Sequence, residues 1–317
     1  MMLDPVVGFF VLGMVAGLLR SDLKLSGGLS DTLSIYLLIA IGLKGGIELS
    51  SVPMDALVLP IVVAVLMSAG TPLVAFPILR RFGKLPRPDA ASIAAHYGSV
   101  SVVTFAVGTS YLTRQGVEYE GFMSVFVVFL EFPALIIGVL LARGISGETR
   151  WRKLVHEVLA GKAIVLLVGA LLIGWVWGAG ATESLGRFYG DLFHGLLSLF
   201  LLGMGILTAS RFDDLRRAGP FLVAFGIGLP IVSAAGGVLV GWWLGLSLGG
   251  TTLLAVLYAS ASYIAAPAAM RIAIPQANPA LSIGASLGVT FPFNVVVGVP
   301  LYHQMALWMY RSGTQAG

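Results

Sequence analysis

Ten apolar segments, separated by short charged connections, set the limits on what this chain can fold into. They run approximately over residues 3–19, 32–48, 56–78, 90–112, 121–142, 161–180, 190–209, 219–245, 251–272 and 281–307. Apolar stretches of about 17 to 25 residues are the length that crosses a bilayer as helix. Backbone in hydrocarbon has no water to bond, so single spans of this kind are helical. The expected fold class is therefore an all-α polytopic membrane protein. Only 11% of the 317 residues are charged, against roughly a quarter in soluble domains. Met1 to Leu19 lacks a basic leading region and a small-residue cleavage site, and reads as a retained first span rather than a signal peptide.

Sorting the cations by alternate connections tests the count, because cytoplasmic loops carry the Lys/Arg excess. One side collects Arg20, Lys24, Arg80, Arg81, Lys84, Arg87, Arg143, Arg150, Arg152, Lys153, Lys162, Arg211, Arg216, Arg217 and Arg271. The other holds Arg114, Arg187 and Arg311 among acidic residues such as Glu48, Asp55, Glu118 and Glu120. Ten spans with both termini outside give this asymmetry. It also accounts for the net charge of +4, so nucleic acid is not an expected partner and membrane lipid is.

The two halves of the sequence correspond. "GGIELSSVPMD" (Gly45 to Asp55) matches "MGILTASRFDD" (Met204 to Asp214), "HYGSVSVVTFA" (His96 to Ala106) matches "LYASASYIAAP" (Leu257 to Pro267), and "EFP" at Glu131 matches "TFP" at Thr290. Two five-span units are implied: 1–143 as a first repeat, 144–160 as a cytoplasmic linker and 161–317 as a second repeat. Five is odd, so the units enter the membrane from opposite sides, an inverted repeat of the kind found in secondary transporters.

Within each repeat the fourth span is the most polar and carries Ser-x-Ser: "GSVSVVT" from Gly98 and "SASYIAAP" from Ser260. Two interrupted, crossed helices are expected there. Interrupted helix is tolerated at membrane depth only inside protein or along a watery cavity. Half-helix N-termini then offer unpaired N–H groups to an anion, and released carbonyls suit a cation. The candidate anion-binding residues are Gly98, Ser99, Ser101, Thr104, Ser260, Ser262 and Tyr263. Ser101, Thr104, Ser260, Ser262 and Glu131 are the candidates for a coupling ion. Small residues with Ser and Thr also let membrane helices pack closely without forming a site.

Other polar residues are few. Glu131 lies deep in "VFLEFPALIIGV" and needs a partner, a proton or a cation; ion coupling, gating and a structural hydrogen bond are all open to it. Lys44 either pairs with Glu131, stabilises an anion or, being near a span end, snorkels outward. His96 handles protons or bonds within the core. Arg271 is explained by its position at a helix end on the basic side. The chain has no Cys, its four His show no metal-ligand spacing, and no phosphate-binding glycine loop is present. No nucleophile and base stand at a recognisable spacing, so no enzyme is expected, and no cofactor.

These motifs also resemble the sodium-dependent bicarbonate permease family known from cyanobacterial carbon-concentrating systems, over nearly the whole chain. "GLKGGIEL" (Gly42 to Leu49), "GSVSVVT" (Gly98 to Thr104), "EFPAL" and "AIPQANP" (Ala273 to Pro279) carry the resemblance. It implies a five-plus-five repeat with an elevator-like core moving against a scaffold, a homotrimer, and bicarbonate taken up with sodium in a bacterial inner (plasma) membrane. It further implies regulation by a PII-like protein on the cytoplasmic face. One element departs: the family's Ser-Ser-Ser-Asp is "SASY" here, with Tyr263 at the carboxylate position, and Ala265 replaces another hydroxyl. Loss of that charge weakens a cation site. The expectation is a symporter of a small monovalent anion, bicarbonate first, driven by sodium. The alternatives are a proton- or sodium-coupled carrier of another anion, an antiporter, or a membrane platform that recruits a cytoplasmic regulator.

Overall fold

The computed structural model describes residues 5–53, 55–143, 156 and 159–313. The expected linker at 144–160 falls almost wholly outside the described residues. Helices α1 (Pro5–Leu18), α2 (Gly27–Leu49), α3 (Asp55–Arg81), α4 (Arg87–Gly98), α5 (Val102–Arg114) and α6 (Met123–Arg143) form the first half. The second half holds α7 (Lys162–Gly186), α8 (Phe193–Ala209), α9 (Phe212–Trp243), α10 (Leu248–Ala259), α11 (Ala265–Ala273) and a long closing helix, α12 (Pro279–Ser312). Helix α12 contains two π-wound stretches, Gly284–Thr290 and Asn294–Gly298.

Among the described residues, seven helical stretches are long and apolar enough to cross a membrane, eight if the bent pair Thr182–Asp191 and Phe193–Ala209 counts as one. The two remaining expected spans are shorter. Helix α1 has 14 residues and so rises only about 21 Å. The segment expected at 251–272 is divided between α10 and α11.

Local chemistry explains where the helices begin and bend. Ser26 caps α2 by accepting from Leu29 N–H at 3.2 Å, and Ser247 caps α10 by accepting from Gly250 N–H at 3.0 Å, each satisfying one orphan donor. Glu120 accepts from the Ser247 hydroxyl at 2.9 Å, placing an acid at a helix N-terminus where the dipole favours it. Helix α9 turns at Gly219, whose φ of 78° is open to glycine at little cost.

The helices pack in two groups. Helix α1 lies against α8, and α2 against α7. Both pairs are drawn together by glycine, since a Cβ added at Gly46 would meet the Leu171 carbonyl oxygen at 2.0 Å and one at Gly205 the Phe10 carbonyl oxygen at 2.2 Å. Close backbone approach at small residues is how helices associate where lipid removes the hydrophobic drive. In the other group, α3, α4 and α6 pack on one another, and α9 packs on α10 and α12. Large apolar side chains such as Leu66, Trp177 and Val232 face outward, as a lipid-facing surface requires. Of the two short divided spans, α4–α5 and α10–α11, the first halves α4 and α10 belong to this second group and are almost wholly buried.

Candidate functional site

Helix α4 ends at Gly98, and α5 starts at Val102; α10 ends at Ala259, and α11 starts at Ala265. The extended residues between them meet. Ser101 N–H donates to Ser260 Oγ at 2.9 Å, and Ser262 N–H donates to the His96 carbonyl at 2.9 Å. The Ser260 hydroxyl in turn donates to the Leu257 carbonyl at 2.7 Å. Ser101 caps α5, its Oγ accepting from Thr104 N–H at 3.2 Å, and Ser262, two residues before the N-cap of α11, accepts from Ala266 N–H in the first turn at 3.2 Å.

Beside this crossing lies a cavity of about 280 Å³. Ser101, Glu131, Ser262 and Tyr263 line it, and Ile164 and Phe200 on α7 and α8 close its far wall. The cavity therefore sits between the two helix groups. Val102, Val103, Tyr263, Ile264 and Ala265 also line it. Among the described residues, the backbone N–H groups of those five make no hydrogen bond to protein. They are the orphan donors that helix starts leave, and both helix starts lie on this one cavity.

Glu131 is 2% exposed. Among the described residues it has neither a hydrogen bond nor an ion pair. The half-buried Tyr263 packs edge-on against Phe291, with ring centres 5.0 Å apart. Its hydroxyl approaches the Ser101 side chain without meeting hydrogen-bond geometry and has no partner. At the cavity mouth Lys162 pairs with Asp31 at 2.8 Å, tying the starts of α7 and α2 together.

Of the residues singled out from sequence, Ser101, Ser262, Tyr263 and Glu131 come together on this cavity. Gly98, Ser99, Thr104 and Ser260 are buried behind it and do not line it. Ser260 is occupied in bracing the crossing, and the Ser99 hydroxyl has no partner. Lys44 is not paired with Glu131. Its Nζ donates to Tyr119 Oη at 2.9 Å in a different cavity. His96 and Arg271 line a third, of about 120 Å³, where His96 Nδ1 lies 2.7 Å from the Ser92 carbonyl.

Two residues that sequence reasoning passed over hold the breaks. Ser68 Oγ lies 2.8 Å from the Gly98 carbonyl, and the Asn294 amide donates to the Ala259 carbonyl at 2.7 Å. One carbonyl at each break thus has a protein group beside it. On the cavity wall, the Glu131 carboxylate and the Ser101 and Ser262 hydroxyls offer side-chain oxygen to a cation. Among the described residues no cluster of three or more His, Asp or Glu suits a tightly held metal. Asn294 had a signal, as an amide in an apolar run; Ser68 in "VLMSAGTP" had none.

Comparison with curated proteins gives no match. The family model described as the Na+-dependent bicarbonate transporter superfamily matches residues 5–307. A match over nearly the whole chain, with apolar helices crossing and breaking as described, makes this a multi-pass membrane protein of a transporter family. The chain belongs to the Na+-dependent bicarbonate transporter superfamily.

Proposed function

We propose that the chain is a secondary transporter that takes up a small monovalent anion, bicarbonate first, together with sodium. The observation that carries this reading is the meeting of two helix starts on one cavity, where the N–H groups of Val102, Val103, Tyr263, Ile264 and Ala265 have no protein partner among the described residues. Amide donors at helix N-termini attract negative charge without presenting a competing proton. The hydroxyls of Ser101 and Ser262 share the anion, and with the Glu131 carboxylate they supply oxygen to sodium. Bringing the cation beside the anion offsets the charge of each, which couples their binding. In this reading Glu131, from α6, takes over the charge that Tyr263 does not provide.

The same proposal takes residues 1–143 and 161–317 as an inverted five-plus-five repeat of ten spans. The layer of α1, α2, α7 and α8 is the scaffold and the remaining helices are the moving core. Charge sorting supports a plasma-membrane location with both termini outside. A homotrimer and a PII-like regulator rest on the family resemblance alone. The unpartnered Glu131 also suits a second reading, in which a proton replaces sodium as the driving ion.

Uptake of labelled bicarbonate into proteoliposomes tests the proposal. An inward sodium gradient is expected to drive accumulation, and Ser101→Leu to abolish it in a folded protein. Equal uptake with and without the gradient ends the sodium claim. Uptake driven by a proton gradient instead selects the second reading.

A further inference from the structure

A second cavity occupies the same crevice between α2 and α5. The transport cavity takes Leu37 and Leu38 from α2 and Val102, Val103 and Ala106 from α5, whereas the second takes Ala40, Ile41 and Lys44 and then Phe105, Thr109 and Ser110. It measures about 230 Å³. Ser34 lines the first cavity and Lys44 the second, a separation of roughly 15 Å along the helix. The two cavities therefore stand at successive levels along α2 and α5.

The chemistry of the second cavity is one-sided. Lys44 is its cation; His194, Tyr119 and Tyr189 are its other titratable groups, and no carboxylate lines it. Lys44 is exposed, as a side chain reaching outward from a span end would be, and its ammonium rests on Tyr119, 2.9 Å from the phenol oxygen and 4.9 Å from the ring centre. Among the described residues it makes no ion pair. Glu48, one turn along α2, interacts electrostatically with Lys44 and packs on Gly121, without itself lining the cavity. An ammonium has three donors, and Tyr119 takes one. Opposite, Ser124 on α6 is 3% exposed, lines the cavity and has a hydroxyl without any partner. Ser110, 2% exposed, adds a second hydroxyl to the wall. A positive charge and an unspent buried hydroxyl on one cavity, with no carboxylate in its lining, are complementary to a small oxyanion.

We propose that this cavity is an anion-loading site, where a bicarbonate-type monoanion binds between Lys44 and Ser124 before it reaches the helix breaks. The assignment rests on the anion-transport reading above, and it adds a residue that sets apparent affinity without touching the coupling ion. Lys44 raises the local concentration of anion at the entrance of the path. It does not hold the anion through the transport step.

The test uses purified full-length wild type, Lys44→Gln, Lys44→Arg and Ser101→Leu, titrated with carbon-13-labelled bicarbonate. Binding is read from broadening of the bicarbonate carbon line, and uptake kinetics are read in parallel in proteoliposomes. Lys44→Gln is expected to reduce the broadening and to raise the KM for bicarbonate about tenfold at an unchanged maximal rate, as loss of ground-state binding does. Lys44→Arg is expected to restore both. Ser101→Leu is expected to lose uptake yet keep the Lys44-dependent broadening. Wild-type broadening and KM in Lys44→Gln overturn the proposal, as does a lowered maximal rate at unchanged KM. Should wild type carry no flux while Lys44→Gln still removes the broadening, the transport reading falls and the loading site stands.

Discussion

The side-chain amide of Asn294 donates to the carbonyl of Ala259 at 2.7 Å, and its oxygen accepts from the Tyr302 hydroxyl at 2.7 Å. Ala259 is the last residue of α10, so this one amide closes the end of a helix that stops inside the protein. Tyr258, the residue before it, donates to the Ala64 carbonyl on α3 at 2.7 Å. The other divided span is held likewise, by Ser68 at Gly98 and by Tyr97 bonded to Thr290 at 2.7 Å. An interrupted helix at this depth persists because protein meets some of its freed groups and the others lie along a cavity, the two settings in which broken helix is tolerated.

Asn294 is thus predicted to be a stability residue of the break. Asn294→Ala leaves the Ala259 carbonyl and the Tyr302 hydroxyl unmatched, at a cost of about 1–3 kcal/mol. Asn294→Asp sets a carboxyl oxygen against the Ala259 carbonyl and is expected to cost more. Thermal unfolding in detergent should rank the melting temperatures wild type, Ala, Asp in descending order. Equal values for all three would show that the bond contributes nothing.

Glu131→Gln keeps the shape of the side chain and removes its charge. If the carboxylate is the charged ligand of sodium, the sodium concentration for half-maximal uptake should rise by at least about tenfold, since ligand charge sets affinity at oxygen sites. Protons compete for a carboxylate, so acidification should raise the same value in wild type and leave it flat in the variant. Sodium-dependence curves at two pH values measure both. Identical curves for the two proteins would remove Glu131 from coupling.

The apolar lengths and the charge asymmetry made the membrane class legible, and paired Ser-x-Ser segments marked both places where helices stop. What sequence did not give was distance. That Glu131 and Tyr263 line one cavity depends on the packing of α6 against the crossing, between residues far apart in the chain. The same packing hides Thr104 and Ser260, whose hydroxyl chemistry looked equal to that of Ser101 and Ser262. Lys44 shows a different limit. Its position near a span end fits snorkelling, and only the fold brings Tyr119 under its ammonium.

Tyr263→Phe deletes a buried hydroxyl that has no partner, and the ring keeps its edge contact with Phe291. Removing an unsatisfied group costs no hydrogen bond, so the melting temperature is expected to hold or rise. If that hydroxyl instead serves the bound anion, the KM for bicarbonate should increase by about three- to tenfold, with the sodium dependence unaltered. Calorimetry and uptake kinetics on one preparation separate the two effects. A fall in stability without a change in KM would make Tyr263 a packing residue.

The contact between α2 and α7 gives a prediction that does not depend on the substrate. At Gly46 a Cβ would lie 2.0 Å from the Leu171 carbonyl oxygen and 2.8 Å from the Trp175 backbone nitrogen, so backbone and not a pliable side chain would have to move. Gly46→Ala should therefore push the two helices apart, at a cost of about 1–3 kcal/mol for overpacking. Gly70, inside α3, has nothing within 4 Å of its Cβ position. There Ala relieves the helix of glycine's entropy at no steric charge, a gain of up to about 1 kcal/mol. Melting temperatures should fall for Gly46→Ala and hold or rise for Gly70→Ala. Because α2 and α7 also wall the transport cavity, Gly46→Ala should lower uptake as well, whereas Gly70→Ala should not; a stable, fully active Gly46→Ala protein would refute the close approach of these helices.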